Sequence, residues 1–385
     1  MVLSKRERVI RTLELDDEPD VVPIQNMGFE RTLIPFQKFQ QSEEKKASTK
    51  EVINKFTNIR YSITEMRFWN VDTHYIDPWG FKKTKIRLIK APPEFPGCKI
   101  CTLSGKISKN VKQVDTGLDY SWYVGGYFTT PEILYKYWDK YGKPSELIND
   151  KIDYSPKIWE GFVEALSPYF YPMAILPFNP HENLFEGMTL SRAAYYMRKN
   201  PQFIHDVLGE YSKAMVELIK RLGEAGVDIA MFFDDLGYKG QTIFSLKDLR
   251  TFLLPCYKKI YQAGKKHGMF IVQHSCGKID KFLPDMVDAG LSCIQALEPA
   301  AGVDLAHLKE MLGDKVAFMG GVDGSDILNF GSPSDVEEEV KRCIKAAADG
   351  GGYFIGPSHN ILNAPWENIL ALRSAIEKYR KYPIK

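Results

Sequence analysis

The chain has 385 residues, 44% hydrophobic and 26% charged, the balance of an ordinary globular protein. Lysine and arginine number 51 against 49 aspartates and glutamates, which gives no case for nucleic acid or an anionic membrane surface as the main partner. No run of about 18 apolar residues exists, so no membrane span is expected.

The first residues, "MVLSKRERVIRTLELDDEPDVVP", alternate charged and apolar side chains in helical fashion and lack a signal-peptide core. A cytoplasmic location is expected, with Cys98, Cys101, Cys256, Cys276, Cys293 and Cys343 as free thiols or ligands. Residues 5–14 read as a helix ending before the turn "LDDEPD", and 21–28, "VVPIQNMG", as a short buried strand. Residues 61–130 are turn-rich and alternating, which predicts a hairpin-rich subdomain inserted into a larger frame. In that stretch "CKIC" reads as a hairpin tip. The aromatics Phe68, Trp69, Tyr75, Trp79, Tyr120, Trp122, Tyr123, Tyr127 and Phe128 read either as hairpin cores or as a flat pocket for a ring.

The second half alternates apolar runs with amphipathic helical stretches. The runs are "YPMAILPFN", "VDIAMFFDDLG", "MFIVQHSCG", "LSCIQALEP", "KVAFMGGVDG" and "GGYFIGPSHN". Runs without strict alternation suit strands buried on both faces of a parallel sheet. Their regular succession predicts one (β/α)₈ barrel over residues 1–385. A doubly wound sheet is the alternative, and it would more often show a glycine-rich phosphate loop than "QNMGFERT".

Barrel chemistry sits at the C-terminal ends of the strands. Reading that edge yields Asp234, Asp235, His274, Cys276, Glu298, Asp323 and His359. His274 and Cys276 stand at i and i+2, on one side of a strand, about 7 Å apart by Cα. An imidazole nitrogen and a thiolate so placed can share a zinc ion, at roughly 2.0 and 2.3 Å. A nucleophilic thiol, or two buried neighbours, fit the pattern too. His359 is the best-placed third ligand. Asp234, Asp235, Glu298 and Asp323 are candidate catalytic residues, although an aspartate opening a strand–helix loop often only caps the helix.

The run from "FDDLGYKGQ" through "MFIVQHSCGKID" and "LSCIQALEP", then "AFMGGVDG" and "GGYFIGPSHNILNAPWENILAL", resembles the uroporphyrinogen decarboxylase superfamily over roughly residues 170–380. It resembles the corrinoid-dependent methyltransferase branch. The haem-pathway enzymes carry an arginine-rich segment near the N-terminus, where this chain has "VVPIQNMGFERTLIPFQ" and keeps at most Arg31. The branch binds zinc through His-x-Cys and a distant cysteine; His274 and Cys276 match, and His359 stands at the cysteine's place. The resemblance implies methyl transfer from a small methylated compound, on an O-methyl aromatic ether by this reading, to the cobalamin of a separate corrinoid protein. The alternatives are decarboxylation of a small acid or tetrapyrrole, and a non-catalytic corrinoid- or tetrapyrrole-binding barrel. "DTHYID" begins like a cobalamin-ligating motif but ends in Asp77, so His74 is assigned to the insertion. A homodimer is compatible with all of these.

Overall fold

A computed structural model describes residues 2–25, 63–76, 79–112, 119–361 and 364–384. Seven parallel strands follow one another: β1 (Thr73–Ile76), β6 (Tyr171–Ile175), β7 (Ile229–Phe233), β10 (Phe270–Ser275), β11 (Cys293–Ala296), β12 (Ala317–Val322) and β13 (Tyr353–Pro357). Ile24 bridges Ile355 of β13 and Gln25 bridges Thr73 of β1, both parallel. These two residues close the sheet into a barrel as its eighth stave. The fold expected from the apolar runs is the one found. The predicted strand at 21–28 survives as bridges at Val21, Ile24 and Gln25; residues 26–28 and Arg31 lie outside the described residues.

Runs such as "FIVQHS" form strands here because both faces are covered. Outward residues pack on a ring of helices, among them Pro201–Glu224 and Leu254–Lys266, while inward residues form their own core. That inner core holds Tyr171, Met173, Ile229, Met231, Val272, Cys293, Ala317, Met319 and Phe354. The N-terminal helix α1 (Lys5–Glu14) is started by a capping box of Ser4 with Glu7. It adds Val9 and Leu13 to the inner cluster and so plugs the barrel floor. Beside it, buried Asp72 accepts hydrogen bonds from Arg8 Nη1, from Arg380 Nη2 at 2.7 Å and from the Ile24 amide at 2.8 Å.

The "DTHYID" stretch belongs to the barrel, which corrects the placement of His74 in the insertion. Its Asp72 anchors the floor, and residues 73–76 are β1, paired in parallel with Tyr171–Ala174. His74 is 4% exposed and stacks on Tyr75. The antiparallel sheet begins later, with strands β2 (Leu88–Lys90), β3 (Lys99–Cys101), β4 (Lys106–Lys112) and β5 (Asp119–Gly126) in that order. Its base rests on helix α2 (Pro180–Met188), which follows β6; after β7, β8 (Gly237–Tyr238) and β9 (Gln241–Thr242) form a small separate hairpin. A Cβ on Gly126 would lie 2.4 Å from the Gly187 carbonyl oxygen, so glycine is needed for that approach. All six cysteines are free. Among the described residues, no helix is long and apolar enough to cross a membrane.

Candidate metal centre

His274, inward-facing near the end of β10, is level with Phe233 of β7 and Gln295 of β11. Its Nδ1 is hydrogen-bonded to Gln295 Oε1. Since the amide oxygen only accepts, Nδ1 carries the proton, and the lone pair is on Nε2. Nε2 lies 3.2 Å from Cys276 Sγ. Gln295 Nε2 also donates to the Ser358 carbonyl at 3.2 Å, immediately before His359. His359 Nδ1 accepts from the Asn360 amide at 2.8 Å. The ligand atoms of His274, Cys276 and His359 all lie within 4.8 Å of one another. Three residues nominated by sequence thus converge at the C-terminal mouth of the barrel.

The surroundings are anionic. Asp235 Oδ1 accepts from the Cys276 amide at 2.8 Å and lies 3.4 Å from His274 Nε2. Glu298 Oε2 accepts from the Gly277 amide at 2.7 Å. Burial, then the charges of Asp235 and Glu298, push the Cys276 thiol far above its ordinary range. Two imidazoles, a thiol and flanking carboxylates are a donor set that a divalent cation would satisfy, and its charge would reverse that shift. The residues fit zinc.

The other two nominated carboxylates face elsewhere. Asp234 is fully buried at the end of β7, where it accepts from the amides of His181 at 3.0 Å and Glu182 at 2.9 Å and from Tyr257 Oη at 2.6 Å. It caps the start of α2. Burial raises its carboxyl to about 7 against those three donors. Asp323 Oδ1 accepts from the amides of Ser325 and Asp326 at 2.8 and 3.0 Å. It folds its own loop. Gly277 has a structural reason besides the turn, because a Cβ there would lie 2.2 Å from the Gly237 carbonyl carbon.

Three groups at the mouth escaped the sequence reading. Gln295 sits inside an apolar run on an inward position, and that single polar residue was its only signal. Glu182, on the first turn of α2, is raised to about 8 by burial and by the nearby charges of Asp234 and Asp235. Phe233 packs against His274, ring centroids 5.1 Å apart, and against Tyr75 at 5.3 Å. Tyr75 and Phe233 are half-buried and form an aromatic wall beside the three ligands. Of the other predicted aromatics, Phe68, Trp69, Trp79 and Phe128 are core, whereas Tyr120, Trp122 and Tyr123 are exposed.

Residues 175–379, more than half of the chain, match the family uroporphyrinogen decarboxylase (URO-D). The chain belongs to this family. Curated relatives of two kinds match it. Uroporphyrinogen decarboxylase from Chlorobium limicola is 27% identical over 43% of this chain and 46% of its own length. Methylated-thiol–coenzyme M methyltransferase from Methanosarcina mazei is 22% identical over 60% of this chain and 57% of its own. Methylcobamide:CoM methyltransferase from Methanosarcina barkeri is 26% identical over 47% and 50%. The chain thus spans about half the length of the curated relatives it matches. Among solved structures, a methyltransferase from Methanosarcina mazei covers 98% of this chain and 99% of its own, with a TM-score of 0.61 at 14% identity. That likeness concerns the fold.

Proposed function

We propose that the protein is a methyltransferase that moves a methyl group from a small methylated compound, an O-methyl aromatic ether, to the cobalamin of a separate corrinoid protein. Zinc would be held by His274, Cys276 and His359. The observation that carries this reading is the convergence of those three ligand atoms within 4.8 Å at the barrel mouth. The methyltransferases among the relatives point the same way, as does the replacement of a second thiolate by His359. When bound, zinc supplies a Lewis acid that polarises the oxygen bearing the methyl group.

The chain's own residues prepare that site. Gln295 keeps His274 in the Nδ1–H tautomer and ties it to the strand that carries His359. Tyr75 and Phe233 offer ring faces against which a methoxylated ring can lie. The departing oxygen gains negative charge as the methyl leaves and must be protonated or electrostatically stabilised. Glu182, a carboxyl held neutral up to about pH 8, is a proton source at the mouth; Asp235 and Glu298 are close enough to Cys276 to act on the metal's surroundings.

Two measurements test the proposal. Elemental analysis of the purified protein should find one zinc per chain, lost in Cys276→Ala. Gln295→Leu should weaken zinc by about 10- to 100-fold. Incubation with cob(I)alamin and methylated ethers, amines, thiols and halides should then produce methylcobalamin, with aryl methyl ethers best. A fully active zinc-free protein, or no alkylation across the panel, would overturn it. The decarboxylase alternative, prompted by the Chlorobium relative, instead requires metal-independent release of carbon dioxide.

A further inference from the structure

A cleft of about 810 Å³ lies between the antiparallel sheet and the helix Pro131–Tyr141. One wall is formed by Ile89 and Ile100, which face each other across the β2–β3 ladder, and by the connecting loop "APPEFPG" (91–97). On the helix, Ile133, Lys136, Tyr137, Lys140 and Tyr141 recur at helical spacing and so share the face that lines the cleft. Tyr127, one of the aromatics of the hairpin region, joins them. Its ring lies 5.5 Å from that of Tyr137, which lies 4.6 Å from that of Tyr141. The loop holds its shape unaided. Pro92, Pro93 and Pro96 restrict its backbone. The Phe95 amide donates to the Pro92 carbonyl at 2.9 Å, the Cys98 amide to Phe95 at 3.1 Å and the Ala91 amide to Cys98 at 3.1 Å. Tyr137 Oη donates to the Cys101 carbonyl at 3.3 Å, which ties the helix to the sheet. A preformed cleft loses little entropy on binding.

The charge on this cleft has one sign. Lys90, Lys136 and Lys140 line it, and no carboxylate does. Among the described residues none of the three makes an ion pair. Glu132, one turn before Lys136, feels its charge without pairing with it. Lys136 and Lys140 stand one turn apart, where like charges repel. Lys90 lies opposite Lys99 across the β2–β3 ladder, and that pair repels too. Both repulsions would be relieved by an anion in the cleft. We infer that the cleft binds an aromatic carboxylate, its ring laid against Tyr127, Tyr137 and Tyr141 and its charge held by Lys90, Lys136 and Lys140. The tyrosine rings supply the apolar contact, and the ammonium groups supply charge-assisted hydrogen bonds. The lining shares no residue with the metal centre, so this is a second site, independent of the proposed methyl transfer.

Isothermal titration calorimetry of the full chain with naphthoate should show a saturable site that weakens as salt rises. Naphthylmethanol keeps the ring without the charge, and cyclohexanecarboxylate keeps the charge without the aromatic ring. Each should bind about 10-fold more weakly or worse. Lys136→Gln combined with Lys140→Gln, both at exposed helical positions, should lose a similar factor, whereas Cys276→Ala should lose nothing. Bound naphthoate should also slow acetylation of Lys136 and Lys140, read by mass spectrometry, and leave exposed Lys258 unaffected. That readout needs no variant. The absence of saturable binding, equal affinity for the alcohol, or an undiminished site in the double variant would overturn the inference. So would loss of binding in Cys276→Ala, which would put the ligand in the barrel mouth.

Discussion

Asp234 and Glu182 illustrate how much of the mouth is set by a carboxylate that never faces it. Asp234 accepts the first amides of α2, and that capping holds Glu182 over the barrel rim. Burial and the neighbouring carboxylates then raise Glu182 from 4.5 to about 8. The folded chain therefore retains a proton that the unfolded chain releases between those values. The stability this contributes is fully present below 4.5 and is lost as pH rises through about 8. Glu182→Gln keeps the group neutral throughout. The thermal midpoint of the zinc-stripped variant should vary less across that window than the wild type's, and an identical pH profile would remove Glu182 from this account. The sequence named His274, Cys276 and His359 because the two-residue period and the strand ends expose ligands directly. It could not separate Asp235, beside the ligands, from Asp234 and Asp323, which turn back to bind amides. All three fall within two residues of a strand's end, and tertiary packing decides which way each carboxylate turns.

At the level of elements, the strands from β6 onward are legible because long apolar runs buried on two faces have few other solutions. β1 was missed for a physical reason. It is four residues long, carries Thr73 and His74, and lies among turn-forming residues, so its pattern matches that of the hairpins after it. Among the described residues the eighth stave is shorter still. Asp72 joins these two weak elements, since it accepts from the Ile24 amide and from Arg8 and Arg380. Asp72→Ala would take the shared buried acceptor from Arg8 Nη1, Arg380 Nη2 and the Ile24 amide, leaving Arg8 to Asp20 and Arg380 to Glu377 at 3.5 Å. The expected loss is about 3–5 kcal/mol, readable as a lower denaturant midpoint. A change below about 1 kcal/mol, the worth of an exposed pair, would mean that the floor network is not the anchor described.

Over the whole molecule, the three ligands come from two strands separated in the barrel wall by β11 and β12. A bound ion would fasten distant parts of the chain in the folded state only. Linkage then predicts that free zinc at a thousandfold excess over its dissociation constant adds about 4 kcal/mol of stability. Calorimetry with and without a chelator should show the rise, and Cys276→Ala should lose most of it. A midpoint indifferent to zinc would argue against a specific site at the mouth.

The two sides of the metal site are braced differently. Among the described residues, β10 is laced to both neighbours over most of its length, whereas β13 has β12 along its length and Ile24 at a bridge. His274 and Cys276 end the first of these strands and His359 follows the second, so a bound ion would stitch together two stretches of wall with unequal backing.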